Sequence, residues 1–429
     1  MEEAENPNKS KQNKIIFQDM KTITSILVAC LLMALPMKAQ WTKTLTGQSA
    51  LIDQVSVVSD SVIWIKDVNG DKFSITLNGG RTWTTKNFPV GISTPGTTSS
   101  LSAVSDQVAF VILSIDTPTN TRGVYKTTDG GVTWVRQTTA FNSPLSFPDQ
   151  VYFWNVNQGL CIGDGISTAN GILEMYTTTN GGTQWTPVPA ANMPVTGSTD
   201  AIVNTQGYMQ VTGNTVYVLS DTTGNIYKSI NNGVNWSVIH SPSNGYFASL
   251  NFKDVNHGLV TSSVKSTNLS SVYNTSDGGV TWTMTYSSPT IAEIKYIPCA
   301  ANYLISKTPG LSYSADGVSF LNHPSFTNIF LNAIGYTPSG KIFIGGVGYI
   351  YSATNITGSI STAVPSVLMN DAIIVGYKIY SLSGQLLITA NSPGGVKLQN
   401  IMQTMNKGLY LMNAKLSDGQ YQHFKFMVQ

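Results

Sequence analysis

Side chains able to do acid–base or nucleophilic chemistry are few in this 429-residue chain, and their scatter limits what the chain can catalyse. A glycosidase that clamps a substrate carboxylate needs three converging arginines, a tyrosine nucleophile paired with a glutamate, and an acid. The whole chain holds three arginines, Arg81, Arg122 and Arg136, and beyond residue 39 only two glutamates, Glu174 and Glu293. Arg81 lies inside a turn motif, Arg136 follows one, and only Arg122 falls in a loop, which argues against that constellation. Hydrolysis by a pair of aspartates is the surviving catalytic reading. Asp106, Asp149, Asp164, Asp200 and Asp254 lie near strand ends, though each equally suits a turn, where a short carboxylate bonds to its own backbone. His240, His257, His323 and His423 have no metal-ligand spacing. Asp67-Val-Asn-Gly-Asp71 opens like a calcium loop but lacks the distal glutamate and reads as a hairpin turn. No phosphate-cradling glycine loop and no Gly-x-Ser-x-Gly elbow occurs. No catalytic residue, cofactor or metal is therefore expected. Trp64, Trp154, Tyr246, Phe247 and Tyr286 could line a funnel or offer sugars a flat platform, core packing being the commoner use of strand aromatics.

The elements that must position these groups are announced by a phrase that recurs six times. Five copies are full length: Thr76–Trp83 (TLNGGRTW), Thr127–Trp134 (TTDGGVTW), Thr178–Trp185 (TTNGGTQW), Ser229–Trp236 (SINNGVNW) and Thr275–Trp282 (TSDGGVTW). A sixth, Ser314–Phe320 (SADGVSF), is one residue short and ends in Phe. Each lies between strand-like runs. The third residue (Asn78, Asp129, Asn180, Asn231, Asp277, Asp316) can bond its side chain to N–H groups further round the turn. The glycine at the fifth position (Gly80, Gly131, Gly182, Gly233, Gly279) accepts φ > 0. The closing Trp83, Trp134, Trp185, Trp236 and Trp282, and Phe320, should fold back over the turn. Repeats at this period mean stacked or radially arranged units, because no single unit buries its own apolar faces.

Spacing and composition resemble the Asp-box, or BNR repeat, of sialidases, sortilin-type receptors, some glucanases and the photosystem II assembly and stability factors. The resemblance implies an all-β propeller with the box on the turn between third and fourth strands of each blade, at the outer rim and away from the central funnel. It makes the box residues structural. The near-copies Val151–Cys161 and Leu250–Val260 resemble the first hairpin of blades in the photosystem-assembly type. After the sixth box come three more strand candidates, Phe330–Tyr336, Lys341–Gly345 and Tyr349–Ala353, without a fourth. Trp41–Leu45 reads like a strand that follows a box. The economical count is seven four-stranded blades over residues 40–354, the seventh built from both ends so that no open edge remains, with six or eight as alternatives. A sialidase fails on the arginine and glutamate shortage, and the Asp-box glucanases use two propellers and a much longer chain.

Charged residues make up only 11% of the chain, and its net charge is +2. Nothing in that balance attracts nucleic acid or an anionic membrane. Residues 1–39 read as an export signal, with translation starting at Met20. Lys21 opens a basic region, Thr22–Pro36 is apolar, and cleavage is placed near Ala39. Leu27–Cys30 mimics a lipidation box, but the apolar run continues past it to Leu35. No later run is long and apolar enough to span a bilayer. Cys161 and Cys299 fall in different blades and read as buried small residues, not a disulfide.

Residues 355–372 read as a linker. Residues 373–429 then alternate apolar and polar residues around a Ser-Gly turn. The strand-turn with Tyr380 and Gly384, the Gly408-Leu-Tyr410 strand and a terminal hairpin resemble the type A sorting domain of the type IX secretion system of Bacteroidetes. That resemblance implies a small β-sandwich-like domain that engages the secretion machinery, with delivery through the periplasm and outer membrane to the cell surface or outside. The expected function is thus an exported, non-catalytic binding, adhesion or scaffold module whose partner is a surface glycan or protein. The competing expectation is a secreted carbohydrate-active hydrolase using funnel aspartates, and a third is an assembly factor for a membrane complex.

Overall fold

The computed structural model describes residues 41–88, 98–114, 122–164, 173–194, 200–202, 207–220, 223–242, 246–264, 269–354, 374–380, 386–397, 400–401, 405, 408–417 and 421–428. The leader at 1–39, the linker at 355–372 and Gly384 lie outside the described residues. Seven four-stranded antiparallel sheets form the blades of a β-propeller. Blade 1 comprises Ile52–Val57, Ile63–Asp67, Lys72–Thr76 and Thr84–Asn87, from the innermost strand outward. The innermost strands of blades 2 to 7 are Thr98–Ala103, Pro148–Phe153, Met209–Thr212, Tyr246–Phe252, Ile291–Ile297 and Ile334–Tyr336. Blade 7 takes its fourth strand from the other end of the domain. Thr42–Leu45 pairs antiparallel with Tyr349–Ala353, from Thr42 opposite Ser352 to Leu45 opposite Tyr349. The seven-bladed count therefore holds, and the ring closes by hydrogen bonds between its two ends. The second strands, such as Ile63–Asp67 and Ala109–Leu113, are buried on both faces because a blade packs on either side.

Each blade interface holds one apolar cluster, and each cluster contains one closing aromatic. Trp134 of blade 2 packs on Phe73 and Phe88 of blade 1, with ring centroids 6.0 and 5.4 Å away. Trp83, Trp185, Trp236, Trp282 and Phe320 do the same against blades 7, 2, 3, 4 and 5. At the seventh interface Trp41, just before the strand that closes the ring, stands edge-on to Phe326 of blade 6 at 5.1 Å. The tryptophans thus do more than cover their own turns: they join consecutive blades.

The repeated turn links the third and fourth strands, and its bonds follow one scheme. The first-position hydroxyl accepts from the fifth-position N–H, as in Gly131 N to Thr127 Oγ1 at 2.9 Å. The third-position side chain accepts from backbone further on: Thr133 N to Asp129 Oδ1 at 2.9 Å, Thr82 N to Asn78 Oδ1 at 3.0 Å, Asn235 N to Asn231 Oδ1 at 2.9 Å. The fourth position, which sequence reasoning passed over, is also left-handed, and its N–H ties the turn to the first hairpin of the same blade. Gly79 donates to Ser61 O, Gly130 to Gln107 O, Gly181 to Asn157 O, Asn232 to Asn214 O and Gly278 to Asn256 O, all at 2.8–3.0 Å. A Cβ on Gly131 (φ +82°) would stand 2.2 Å from Phe73 Cζ, so this glycine is also where one blade touches the next.

Two cysteine expectations divide. Cys161 is buried in blade 3, whereas Cys299 is exposed, because it sits in the short 3-10 turn Pro298–Ala300 beyond the inner strand of blade 6. The carboxy-terminal segment forms one four-stranded antiparallel sheet in the order Leu386–Val396, Ile374–Tyr380, Gly408–Leu416, Tyr421–Val428. Tyr380 pairs with Leu411, and Gly408 and Tyr410 pair with Val428 and Phe426.

Truncating the interface anchor in Trp134→Ala is expected to cost about 3 kcal/mol in chemical denaturation, the range for large-to-small changes at packed sites. A loss within 0.5 kcal/mol, the usual range for a surface position, would show that the aromatic is not an anchor. A second expectation concerns acid. Hydrogen bonds from the Thr133 hydroxyl and N–H hold Asp129 at a pKa of about 2, and those from Thr281 do the same for Asp277, against an ordinary value of 3.8. Their contribution is present above the unfolded pKa and lost as pH falls through the folded one. In the Asp129→Asn/Asp277→Asn double variant, melting midpoints should fall less between about pH 4 and pH 2 than in the parent; parallel profiles would contradict this.

Candidate functional site

Because every blade points its first strand at the axis, the seven inner strands surround a common channel. At the end where these strands run into their first hairpin turns, the channel widens into a cavity of about 510 Å³ lined by residues from all seven. The repeated turns hang from those same hairpins, so they share a face with the cavity, one layer further out. Among the described residues, none from the repeated turns lines it.

The inner strands are sheet edges, and their outward N–H groups need acceptors. Side chains of the preceding blade supply them. Gln54 Oε1 accepts from Leu101 N at 2.7 Å, Ser56 Oγ from Ala103 N at 2.9 Å, Ser102 Oγ from Phe153 N at 2.9 Å, and Gln210 Oε1 from Phe252 N at 2.6 Å. Asn251 Oδ1 accepts from Tyr296 N at 2.9 Å, and Glu293 Oε2 from Ile334 N at 2.6 Å.

The cavity wall carries two cations, Lys253 and Lys295, and no carboxylate among its lining residues. Lys295 Nζ is held 3.2 Å from Glu293 Oε1, and that glutamate is buried behind the wall. Tyr152, Trp154, Tyr296 and Tyr336 add aromatic surface. Trp154 stands edge-on to Tyr152 at 5.3 Å, its indole N–H donating to Gly213 O at 2.8 Å. Burial, then the neighbouring Tyr336, raises the Tyr152 pKa above its ordinary value, so its hydroxyl stays protonated. Tyr296 is raised likewise, by burial and then by Asp254. The wall therefore offers hydrogen-bond donors, aromatic faces and positive charge.

Of the aromatics singled out from the sequence, Trp154 is the one whose described side chain reaches this wall. Trp64 is fully buried between blades 1 and 2, and Tyr286 packs on Phe320 at 4.8 Å. The side chains of Tyr246 and Phe247 lie outside the described residues. Lys253, Lys295, Tyr152, Tyr296 and Tyr336 were not singled out. A signal existed for Lys253. In the first hairpins of blades 1, 2, 3 and 5, Val58, Val104, Trp154 and Lys253 each donate their N–H to the residue four further on, so they are equivalent positions. Two of the four differ sharply from valine.

Of the five aspartates, the structure brings two together, both in blade 3 and away from the cavity. Asp149 and Asp164 interact where the inner strand begins; burial, then the charge of Asp164, pushes Asp149 up to about 9. Asp149 is 1% exposed, and Asp164 Oδ1 accepts from Ile202 N at 2.8 Å. Asp200 is buried in blade 4, accepting from Ser220, Asn225 and the hydroxyls of Thr223 and Tyr227. Asp254 serves its own turn, accepting from Asn256 N and His257 N, and Asp106 accepts from Gln107 Nε2. Arg136 donates to the Arg122 and Phe141 carbonyls and Arg122 to the Pro144 carbonyl, so no carboxylate clamp forms. Asp67 accepts from the backbone N–H groups of Ser49, Ala50 and Asn69 as a turn residue. No group of three or more His, Cys, Asp or Glu side chains able to hold a metal occurs among the described residues.

No family model matches the sequence, and no curated protein matches it. Solved structures do resemble the fold. YCF48 from Cyanidioschyzon merolae shares 18% identity at a TM-score of 0.54, over 73% of this chain and 98% of that one. YCF48 bound to D1 peptide shares 13% identity at 0.54, over 73% and 95%. An ancestral GH74 enzyme shares 13% identity at 0.53, over 89% of this chain and 54% of that one. The fold is that of a seven-bladed β-propeller.

Asp149 yields a pH test. Its folded pKa is raised, so the stability it contributes is complete below about pH 3.8, its ordinary value, and is lost as pH rises through about 9. Asn is neutral throughout. The melting midpoint of Asp149→Asn relative to the parent should therefore climb between about pH 5 and pH 9. A difference constant with pH would contradict the buried, protonated carboxyl.

Proposed function

We propose that this chain is an exported, non-catalytic Asp-box propeller whose channel mouth binds a ligand at the cell surface or outside the cell, with residues 373–429 directing type IX secretion. The observation that carries the binding reading is the cavity itself, ringed by all seven inner strands and furnished with two lysines and six aromatics but no carboxylate. Acid–base hydrolysis needs a pair of carboxyl groups flanking the substrate bond, and this wall supplies none. YCF48 is described with a bound D1 peptide, which supports use of such a scaffold for recognition. The export reading rests on the leader at 1–39 and the sorting-type strands near Tyr380, Gly408 and Tyr410. Among the described residues no helix is long and apolar enough to cross a membrane.

A second reading, a glycoside hydrolase, draws on the Asp149–Asp164 pair and the GH74 neighbour. Burial of Asp149 to 1% exposure weighs against it, since a catalytic acid must reach its substrate.

Two measurements test the proposal. The mature protein incubated with a polysaccharide panel is expected to release no reducing ends; release that is lost in Asp149→Asn/Asp164→Asn would establish the hydrolase. Deleting residues 373–429 is expected to leave the propeller in the periplasm, and unchanged export of the truncated chain would remove the sorting role.

A further inference from the structure

We propose that the channel mouth takes the end of an acidic glycan, a chain of uronate-type sugars, with Lys253 meeting a sugar carboxylate and Trp154 with Tyr152 receiving the sugar ring. This rests on the reading of the mouth as the ligand site and names the class of its ligand.

An extended peptide binds a sheet edge by pairing with its backbone. Here the inner-edge N–H groups of Leu101, Ala103, Phe153, Phe252 and Tyr296 already bond to side chains of the preceding blade. Recognition must come from side chains instead.

The side chains present are donors. The Lys253 ammonium has no hydrogen-bond or ion-pair partner among the described residues, unlike Lys295, which Glu293 holds. The hydroxyls of Tyr152, Tyr296 and Tyr336 also have no hydrogen-bond partner there, although Asp254 acts on Tyr296 through its charge. Such an array suits a ligand rich in oxygen acceptors, and the cation suits one that carries a carboxylate.

The second feature is flat apolar surface. The perpendicular Tyr152–Trp154 pair, fixed by the indole bond to Gly213, gives a rigid corner with one apolar and one polar side. A pyranose ring matches it, with C–H groups on its face and hydroxyls on its edge. An acidic peptide would use the cation but leave this corner and the tyrosine hydroxyls largely unmatched. The cavity is axial and walled on all sides by the seven blades, so a chain end enters it more readily than a chain passing through. Finally, the changes that matter fall at one repeat position: where blades 1 and 2 place Val58 and Val104, blades 3 and 5 place the aromatic and the cation.

The test is isothermal titration of the full mature protein with three probes: trigalacturonate, neutral galactotriose and pentaglutamate. Trigalacturonate should bind, weaken with added salt, and weaken about tenfold or more in Lys253→Gln, the loss typical of one charge-assisted hydrogen bond. Lys253→Arg should restore most of it, and Trp154→Ala should weaken it without lowering the melting midpoint by more than a few degrees. Failure of trigalacturonate to bind, unchanged affinity in Lys253→Gln, or pentaglutamate binding at least as tightly would each overturn the acidic-glycan assignment. Loss of galactotriose or pentaglutamate binding in Trp154→Ala, with trigalacturonate silent, would do so while sparing the mouth as a binding site. Binding of any probe that neither Trp154→Ala nor Lys253→Gln affects would overturn both.

Discussion

An innermost propeller strand has no strand beyond it, so the backbone N–H groups on its free edge find no partner in the blade's own ladder. A buried donor left unsatisfied costs about 1–3 kcal/mol, so a ring of seven such edges must find acceptors or fail to close. This chain solves the problem with polar side chains at the inner strands. Gln54, Ser56, Ser102, Gln210, Asn251 and Glu293 each accept from the next blade's backbone. These bonds set the spacing between inner strands, and that spacing sets the shape of the cavity they enclose. The polar residues nearest the channel therefore serve architecture first. The side chains on the wall that the edges do not consume include Lys253, the tyrosine hydroxyls and the Trp154 face.

The outer part of each blade meets a different constraint. Third and fourth strands must turn tightly while contacting the neighbouring blade, which is why two successive left-handed residues and one closing aromatic recur. The fourth-position N–H secures the turn to its own first hairpin, and the aromatic secures it to the preceding blade. Lysines add bonds across three consecutive interfaces: Lys341 Nζ to Gly79 O, Lys86 Nζ to Gly130 O and Lys126 Nζ to Gly181 O. The blades are thus divided by radius, with repetition at the rim and variation at the axis.

That division explains what could be read from the sequence. The rim repeats, so spacing of Asx, Gly and Trp placed the turns, and Trp41–Leu45 was recognisable as the strand that completes blade 7. Cross-blade contacts were invisible, because Trp134 and Phe73 belong to different repeats and nothing local says that they touch. The fourth turn position was overlooked although four of its five full-length copies are Gly and the fifth, Asn232, is a residue that tolerates φ > 0. At the axis the side chains depart from the repeat, and a search for recurring chemistry passes over them. Lys253 looks like a surface lysine until its hairpin is laid over that of Trp154. Asp149 and Asp164 are distant in the repeat pattern, and only strand pairing within blade 3 brings them together. Cys299 was assigned to the interior on residue type alone, while the short turn Pro298–Ala300 leaves its side chain exposed.

Residue-resolved amide hydrogen exchange on the intact chain measures the inner-edge bonds directly. The amides of Leu101, Ala103, Phe153, Phe252, Tyr296 and Ile334 should exchange as slowly as those in the buried second strands. Exchange of these amides at the rate of the hairpin turns, with the strand ladders still protected, would contradict the account that neighbouring blades are joined through them.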